Sequence, residues 1–269
     1  MDLSIVVVNW NTRDLLIQCL TSVVQGTEGV DYEIVVVDNA STDGSVHAVQ
    51  EGFPQVKLIV NRSNLGFAKA ANQAIIESWG RYVLLLNPDT RPLNNAIGKM
   101  IRFMDDHPGA GAMGPRLVLP DGRPQPYSFG CDPTLGYLLR RGLNLLLRKG
   151  YLHDWGSDKV REVDWLSGAS LVLRRRALEE TGLLDENFFL YFEDNDLCLR
   201  LRQKWWKVYF NPTVQVVHLG GESLVKNEPA RAEYYYGLLY FYSKHYSKLK
   251  MAILILLLPL YRWLVRPRR

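Results

Sequence analysis

Short apolar runs alternate with helical patterns through the first third of the chain. Ser4 to Val8 ends in Asn9-Trp10-Asn11-Thr12. Val35 to Val37 ends in Asp38-Asn39-Ala40-Ser41-Thr42-Asp43. Val56 to Val60 ends in Asn61-Arg62, and Tyr82 to Leu86 ends in Asn87-Pro88-Asp89-Thr90. Continuous aliphatic runs of this length read as buried strands, and the Ser, Thr and Asp behind them read as helix starts. Strands alternating with helices predict an α/β fold: a mostly parallel sheet with helices on both faces. Open α/β sheets bind ligands outside the carboxyl ends of their strands. Four polar strand ends on one edge therefore mark a candidate site. A carboxylate such as Asp38 only accepts hydrogen bonds. It suits either an imide N–H, as in uracil or thymine, or the cap of the next helix.

The second half is less regular. Seven Pro and Gly crowd residues 120–136, so a loop is expected there. A helix over Leu135 to Leu147 would expose Arg140, Arg141 and Arg148, as a lid, an acceptor loop or surface decoration. A strand near Val163 to Leu173, a helix near Arg175 to Thr181, a helix from Glu193, and short strands at Lys207 to Phe210 and Val214 to Val217 follow. Helical spacing aligns Asp194, Cys198, Leu201 and Trp205 on one stripe, which turns Asp194 inward. Asp196, about 200° around the helix, is explained by the helix dipole. These patterns divide the chain into residues 1–118, which carry the four polar strand ends, residues 119–228, and a helical tail over residues 229–269.

Composition narrows the class. The chain has 269 residues, 47% hydrophobic and 22% charged, which are globular values. Its three cysteines are scattered and suit a reducing compartment without disulfides. The net charge of +4 is uneven: seven Lys and Arg lie after residue 243 with no acid among them, leaving 25 basic against 28 acidic residues before. An acidic body argues against a nucleic-acid-binding face, and a basic tail points to an anionic surface.

The ordered set Val-Val-Asn-Trp-Asn, Val-Asp-Asn-Ala-Ser-Thr-Asp, Asn-Leu-Gly-Phe-Ala, Leu-Asn-Pro-Asp-Thr, Trp-Leu-Ser-Gly-Ala, Phe-Glu-Asp-Asn-Asp-Leu and Val-His-Leu-Gly-Gly resembles the inverting glycosyltransferases of family 2, with the GT-A fold. The rhamnosyltransferase-like branch is the nearest likeness, over about Leu3 to His218. The resemblance implies a nucleotide-sugar donor held by Asn9, Asn11, Asp38, Asn64, Gly66, Lys69, Asn72, Asn87 and Asp89. It implies sugar and acceptor contacts from Trp165, Ser167 and Gly168. Asp194 is the implied general base, with Glu193 as its neighbour. The metal, Mn²⁺ or Mg²⁺, is implied at Asp89 and His218, and it would neutralise charge on the leaving diphosphate. Where the wider family carries Asp-x-Asp, this chain has Asn87-Pro88-Asp89, one charge fewer. A catalytically silent nucleotide-sugar-binding protein is thus the rival from another class. The Gln-x-x-Arg-Trp of processive members is missing, so transfer of one sugar is expected. The best-fitting donor is dTDP-L-rhamnose, with UDP-hexose or UDP-galactofuranose as alternatives. The acceptor is a lipid-linked saccharide in cell-envelope polysaccharide synthesis.

Met251 to Leu260 is an unbroken apolar run, extended by Tyr261 and Trp263 to Val265 and flanked by Lys and Arg. Fifteen residues of helix cover only about 22 Å, less than a bilayer core. The tail reads as a helix lying on the cytoplasmic face of the membrane, with the tyrosines of 234–246 at the interface. A dimerisation helix making a homodimer is the rival reading.

Overall fold

The computed structural model describes residues 1–147, 149, 151–220 and 228–264. The elements run β1 (Leu3–Asn9), α1 (Arg13–Gly26), β2 (Tyr32–Asp38), α2 (Ser45–Gly52), β3 (Lys57–Val60), α3 (Phe67–Ile76), β4 (Tyr82–Leu86), β5 (Thr90–Pro92), α4 (Ala96–Asp106) and β6 (Ala110–Val118). They continue through β7 (Phe129–Gly130), α5 (Leu135–Leu146), β8 (Arg161–Glu162), β9 (Trp165–Leu166), β10 (Ser170–Arg174), α6 (Arg175–Thr181), α7 (Glu193–Gln203) and β11 (Lys207–His218). Two helices close the chain, α8 (Glu228–His245) and α9 (Lys248–Leu264).

One nine-stranded sheet has the order β3-β2-β1-β4-β10-β6-β11-β5, with β8 beside β11. The pairs β1/β2, β1/β4, β2/β3 and β6/β11 are parallel. β10 runs antiparallel between β4 and β6. Alternation along each strand divides the core. Ile5, Val36 and Leu84 face α1, α2 and α4. Val6, Val35 and Leu85 face α3, α6 and α7. This is the mostly parallel α/β sheet with two helical layers that the run-and-turn pattern predicts.

The sheet joins both halves of the chain, so its carboxyl edge collects residues far apart in sequence. Asn9 sits opposite Asp38 in register. β11 brings His218 opposite Thr90 at the far end of the same sheet.

Three expectations need correction. The expected strand over 163–173 is two strands, β9 and β10, and β9 leaves the main sheet to pair with β7. The two short strands at 207–217 are one strand, β11, with register irregularities between Lys207 and Val208 and between Asn211 and Gln215. Trp205 lies beyond the end of α7, at φ 65° and 92% exposed, so the inward stripe stops at Leu201.

A third apolar cluster lies under the C-terminal helices. Leu238, Phe241 and Tyr242 of α8, with Leu254 and Tyr261 of α9, pack on Leu138 of α5 and on Phe188 and Phe192. The tyrosines expected at a membrane interface mostly belong to this cluster, and only Tyr236 is more than half exposed. No helix among the described residues is long and apolar enough to cross a membrane. Arg148 and Val265, named above, lie outside the described residues, as do the second glycine of Val-His-Leu-Gly-Gly, Gly221, and the last basic residues of the tail, Arg266, Arg268 and Arg269.

Candidate functional site

The first group, the expected donor edge, is a network of neutral amides around two buried side chains, Asp38 and Asn39, at the end of β2. Asn9 Nδ2 donates to Asp38 Oδ1 at 2.9 Å and to Ser41 Oγ at 3.0 Å. The Ser41 N–H donates to Asp38 Oδ2 at 2.8 Å, so the carboxylate does cap the turn that follows it. Asn39 Nδ2 donates to Asn64 Oδ1 and Gly66 O, while Asn39 Oδ1 accepts from Asn61 Nδ2 and from the Leu65 N–H. Asn39 therefore satisfies its whole amide while tying its own loop to the loop between β3 and α3. Asn11, at φ 53°, accepts from the Thr42 N–H and stays exposed.

Several expected donor contacts do other work. Asn9 is fully buried, and its amide is occupied by Asp38, Ser41 and Thr12, so it positions Asp38 instead of reaching a ligand. Asn72 is buried too. It donates to Leu184 O and accepts from the Leu184 N–H, pinning the loop before α7. Lys69 is exposed, 4.0 Å from Glu186. Gly66 has φ 83°, and a Cβ there would stand 2.7 Å from Phe189 O. The Phe67 N–H donates to that same oxygen at 2.8 Å. Gly66 thus admits the Phe189 backbone, and the first turn of α3 is partly covered by it.

The second group lies where β4, β5 and β11 end. Asp89 Oδ1 is 3.3 Å from His218 Nε2. His218 Nδ1 is 2.8 Å from Gln125 Oε1, and Gln125 Nε2 donates to Gly220 O at 3.0 Å. That amide orientation puts the ring proton on Nδ1. A neutral ring then turns the Nε2 lone pair toward a carboxylate, two acceptors facing each other. A proton or a cation resolves that arrangement. A Cβ on Gly220 would stand 2.7 Å from both Asp89 Oδ2 and His218 Nε2, so glycine keeps the gap beside them open. One carboxylate and one imidazole fit a divalent ion whose other ligands are diphosphate oxygens and water, and the nitrogen favours Mn²⁺ over Mg²⁺. No larger His/Cys/Asp/Glu group suited to a metal occurs among the described residues. Gln125 carried no signal in its Pro-rich loop; only the fold brings it to a histidine 93 residues away.

The third group is the acidic start of α7. Tyr191 (φ 70°) and Phe192 (φ 73°) are consecutive left-handed residues, which is uncommon for aromatic side chains. They reverse the chain so that Phe192 enters the third apolar cluster and the acids face the sheet edge. Asp194 Oδ2 accepts from the Gly168 N–H at 3.0 Å, and Oδ1 from the Asn195 N–H at 2.8 Å. Glu193 is buried, and its Oε2 has no partner. Burial raises both carboxyls above their ordinary range, and the charge of Asp194 raises Glu193 further. Two N–H donors hold the ionised form of Asp194, so Asp194 ionises first and Glu193 keeps its proton longer. Asn87 N donates to Ala169 O, next to Gly168, and this links the turn that carries Asp89 to the segment that holds Asp194. Trp165 is half-buried and donates its indole N–H to Cys131 O; Ser167 Oγ accepts from the Ala169 N–H.

Asp196 corrects the dipole reading. It is fully buried and bonds Arg200 within α7 and both Lys244 and His245 of α8, fastening α8 to α7.

The sequence profile of Glycosyl transferase family 2 matches residues 4–155. The chain belongs to that family. It is a family 2 glycosyltransferase of the rhamnosyltransferase-like kind. It is 30% identical over 236 residues to the N-acetylglucosaminyl-diphospho-decaprenol L-rhamnosyltransferase of Mycobacterium tuberculosis, covering 80% of this chain and 75% of that protein. It is 26% identical over 196 residues to the dTDP-rhamnosyl transferase RfbF of Shigella flexneri, covering 72% and 62%. Among solved structures, GalNAc-T7 with UDP, GalNAc and Mn²⁺ matches with a TM-score of 0.62 at 17% identity, over 81% of this chain but 44% of that one. Staphylococcus aureus TarS in complex with UDP matches at 0.57 and 17% identity, over 91% and 73%. These structures share the GT-A fold of this glycosyltransferase.

Proposed function

We propose that this glycosyltransferase moves one L-rhamnose from a dTDP donor, with inversion, onto a lipid-linked saccharide of cell-envelope polysaccharide synthesis. The observation that carries the mechanism is Asp194, a carboxylate held by the Gly168 and Asn195 N–H groups beside the donor edge. The names of the Mycobacterium and Shigella relatives support the sugar and the lipid carrier. UDP in the two solved neighbours keeps a UDP-hexose as the alternative donor.

In this reading residues 1–118 hold the nucleotide and residues 119–228 bring the acceptor and base. Asp38, whose carboxylate already accepts from Asn9 and Ser41, would take an imide N–H of the nucleobase on its remaining lone pairs. Asp89 and His218 would hold a divalent ion, which supplies charge neutralisation at the departing diphosphate. Gln125 keeps the His218 proton on Nδ1 and so leaves Nε2 free to ligate. Asp194 takes the proton of the acceptor hydroxyl as that oxygen attacks the anomeric carbon. Burial makes Asp194 a stronger base than a solvated aspartate. Glu193, kept neutral longer, avoids a second negative charge beside it. The C-terminal helices rest on the inner face of the cell membrane, where such an acceptor resides.

Purified protein supplied with dTDP-L-rhamnose, UDP-hexoses and UDP-galactofuranose, with a lipid-linked N-acetylglucosamine acceptor, tests the reading. Transfer from dTDP-L-rhamnose alone is expected. Transfer confined to a UDP donor would overturn the sugar, and binding without turnover of any donor would leave a silent binding protein.

A further inference from the structure

Arg141 of α5 differs from most of the partly buried arginines in how its donors are met. Arg200 and Arg202 pair with Asp196 and Asp132, Arg174 and Arg175 place their donors on backbone carbonyls and one hydroxyl each, and Arg161 donates to Asp154 O and stacks on Phe129. Arg141 has no carboxylate partner among the described residues. It reaches only two phenol oxygens, Tyr127 at 3.2 Å and Tyr234 at 3.4 Å, and it stacks over the Tyr127 ring at 5.0 Å. Both phenols accept from Arg141, and the Tyr127 O–H is left able to donate. His153, across the same cavity, is held toward its neutral form by burial and by the charge of Arg161. Arg141 and the phenols beside it therefore offer one full positive charge and a hydroxyl donor, the complement of a phosphate group.

Its position matters as much as its charge. Tyr234 packs against Phe192 at 5.2 Å and Tyr191 at 6.3 Å, the two residues that lead into Glu193 and Asp194. One aromatic layer separates Arg141 from the base. On its other side, α5 packs on α9, and both helices turn aliphatic side chains to solvent. Leu139 and Leu143 on α5 are 57% and 52% exposed, and Leu249, Leu256 and Leu260 on α9 are 72%, 79% and 54% exposed. Exposed Arg140, Lys248 and Arg262 add positive charge to the same two helices.

We propose that Arg141, with Tyr127 and Tyr234, binds the phosphate group joining a lipid acceptor to its sugar, while the exposed aliphatic faces of α5 and α9 lie against the lipid. This rests on the proposed lipid-linked acceptor and deepens it. The sugar would then span the gap between a phosphate on Arg141 and the base Asp194. The loop-and-helix segment after residue 119 becomes the acceptor's recognition element.

The test uses the full chain with chelator present, so that no metal draws a diphosphate to the Asp89 edge. Binding of farnesyl diphosphate, farnesol and inorganic pyrophosphate is followed by thermal shift for wild type, Arg141→Gln and Arg141→Lys. Farnesyl diphosphate should bind wild type best, weaken by about tenfold or more in Arg141→Gln, and recover in part in Arg141→Lys, where charge returns without the bidentate fork. Equal binding by wild type and Arg141→Gln would overturn the site. Farnesol binding as well as its diphosphate would do the same, and pyrophosphate matching farnesyl diphosphate would remove the lipid. In transfer assays Arg141→Gln should raise KM for the diphospholipid acceptor and leave KM for an alkyl glycoside of the same sugar unchanged. An equal loss on both acceptors would make Arg141 purely structural. If no form transfers to any lipid-linked saccharide while farnesyl diphosphate binding still depends on Arg141, the acceptor reading falls and the phosphate site stands.

Discussion

The two ends of the site are built on opposite principles. At the donor edge, Asn39 fills its whole amide with protein partners, and Asn9 and Asn64 are tied to the same loops. At the acceptor side, Glu193 Oε2 is buried with no partner and Arg141 meets only hydroxyls. Satisfied neutral amides rigidify a pocket at little cost, whereas an orphaned carboxylate or a cation without its anion is destabilising. The Asp38–Asn39 network is thus a preformed frame, whereas Glu193 and Arg141 lack such partners, which under the proposed function would arrive with substrate.

That contrast predicts which substitutions alter rate and which alter stability. The largest effect belongs to Asp194→Asn. Turnover should fall by ~10²–10⁴-fold, while donor affinity and melting temperature stay close to wild type. Half of wild-type turnover in that variant would remove Asp194 from the role of base. Next comes Gln125→Ala, which frees the His218 ring to change tautomer. Metal affinity should drop by about 10–100-fold, read as the Mn²⁺ concentration needed to restore a chelated enzyme. A chelated wild type working at full rate would eliminate the metal at Asp89 and His218 altogether.

Asn39→Ala should act chiefly on the fold. Asn61, Asn64 and two backbone groups lose their partner, at a cost of about 1–3 kcal/mol, with donor binding weakened alongside. Denaturant unfolding checks it; an unchanged midpoint would mean that the donor network does not frame the pocket. The smallest effect is expected from Glu193→Gln. The folded-state pKa of Glu193 lies above its unfolded value, raised by burial and by Asp194. Its contribution to stability is complete below an unfolded pKa of about 4.3 and declines as pH rises toward the folded value. The melting temperature of Glu193→Gln should therefore exceed wild type by a margin that grows from acidic to neutral pH. A margin independent of pH would place the Glu193 charge in solvent.

The α/β sheet and its carboxyl edge were legible because buried parallel strands leave continuous aliphatic runs, each stopped by polar residues. Asp38, Asp89 and His218 fall at such stops on the carboxyl edge of the sheet, whereas Asp194 was legible from the helical stripe it shares with Cys198 and Leu201. The roles of Asn9, Asn72 and Gly66 were not legible, since whether an amide faces a ligand or a neighbouring loop depends on partners such as Ser41, Leu184 and Phe189. Asp196 misled for a related reason: its partners Lys244 and His245 lie on a helix that folds back from the far end of the chain. Arg141 looked like an exposed residue of a surface helix, because nothing local shows that Tyr127 and Tyr234 close over it.

Direct displacement assisted by Asp194 has one stereochemical consequence. The acceptor hydroxyl attacks from the face opposite the departing diphosphate, so the new linkage must carry the anomeric configuration opposite to the donor's. NMR of the product from dTDP-L-rhamnose and a soluble acceptor analogue, recorded before any secondary hydrolysis, measures it. The account predicts inversion at the anomeric carbon. A product with the donor's own anomeric configuration would contradict a single displacement and the assignment of Asp194 as its base.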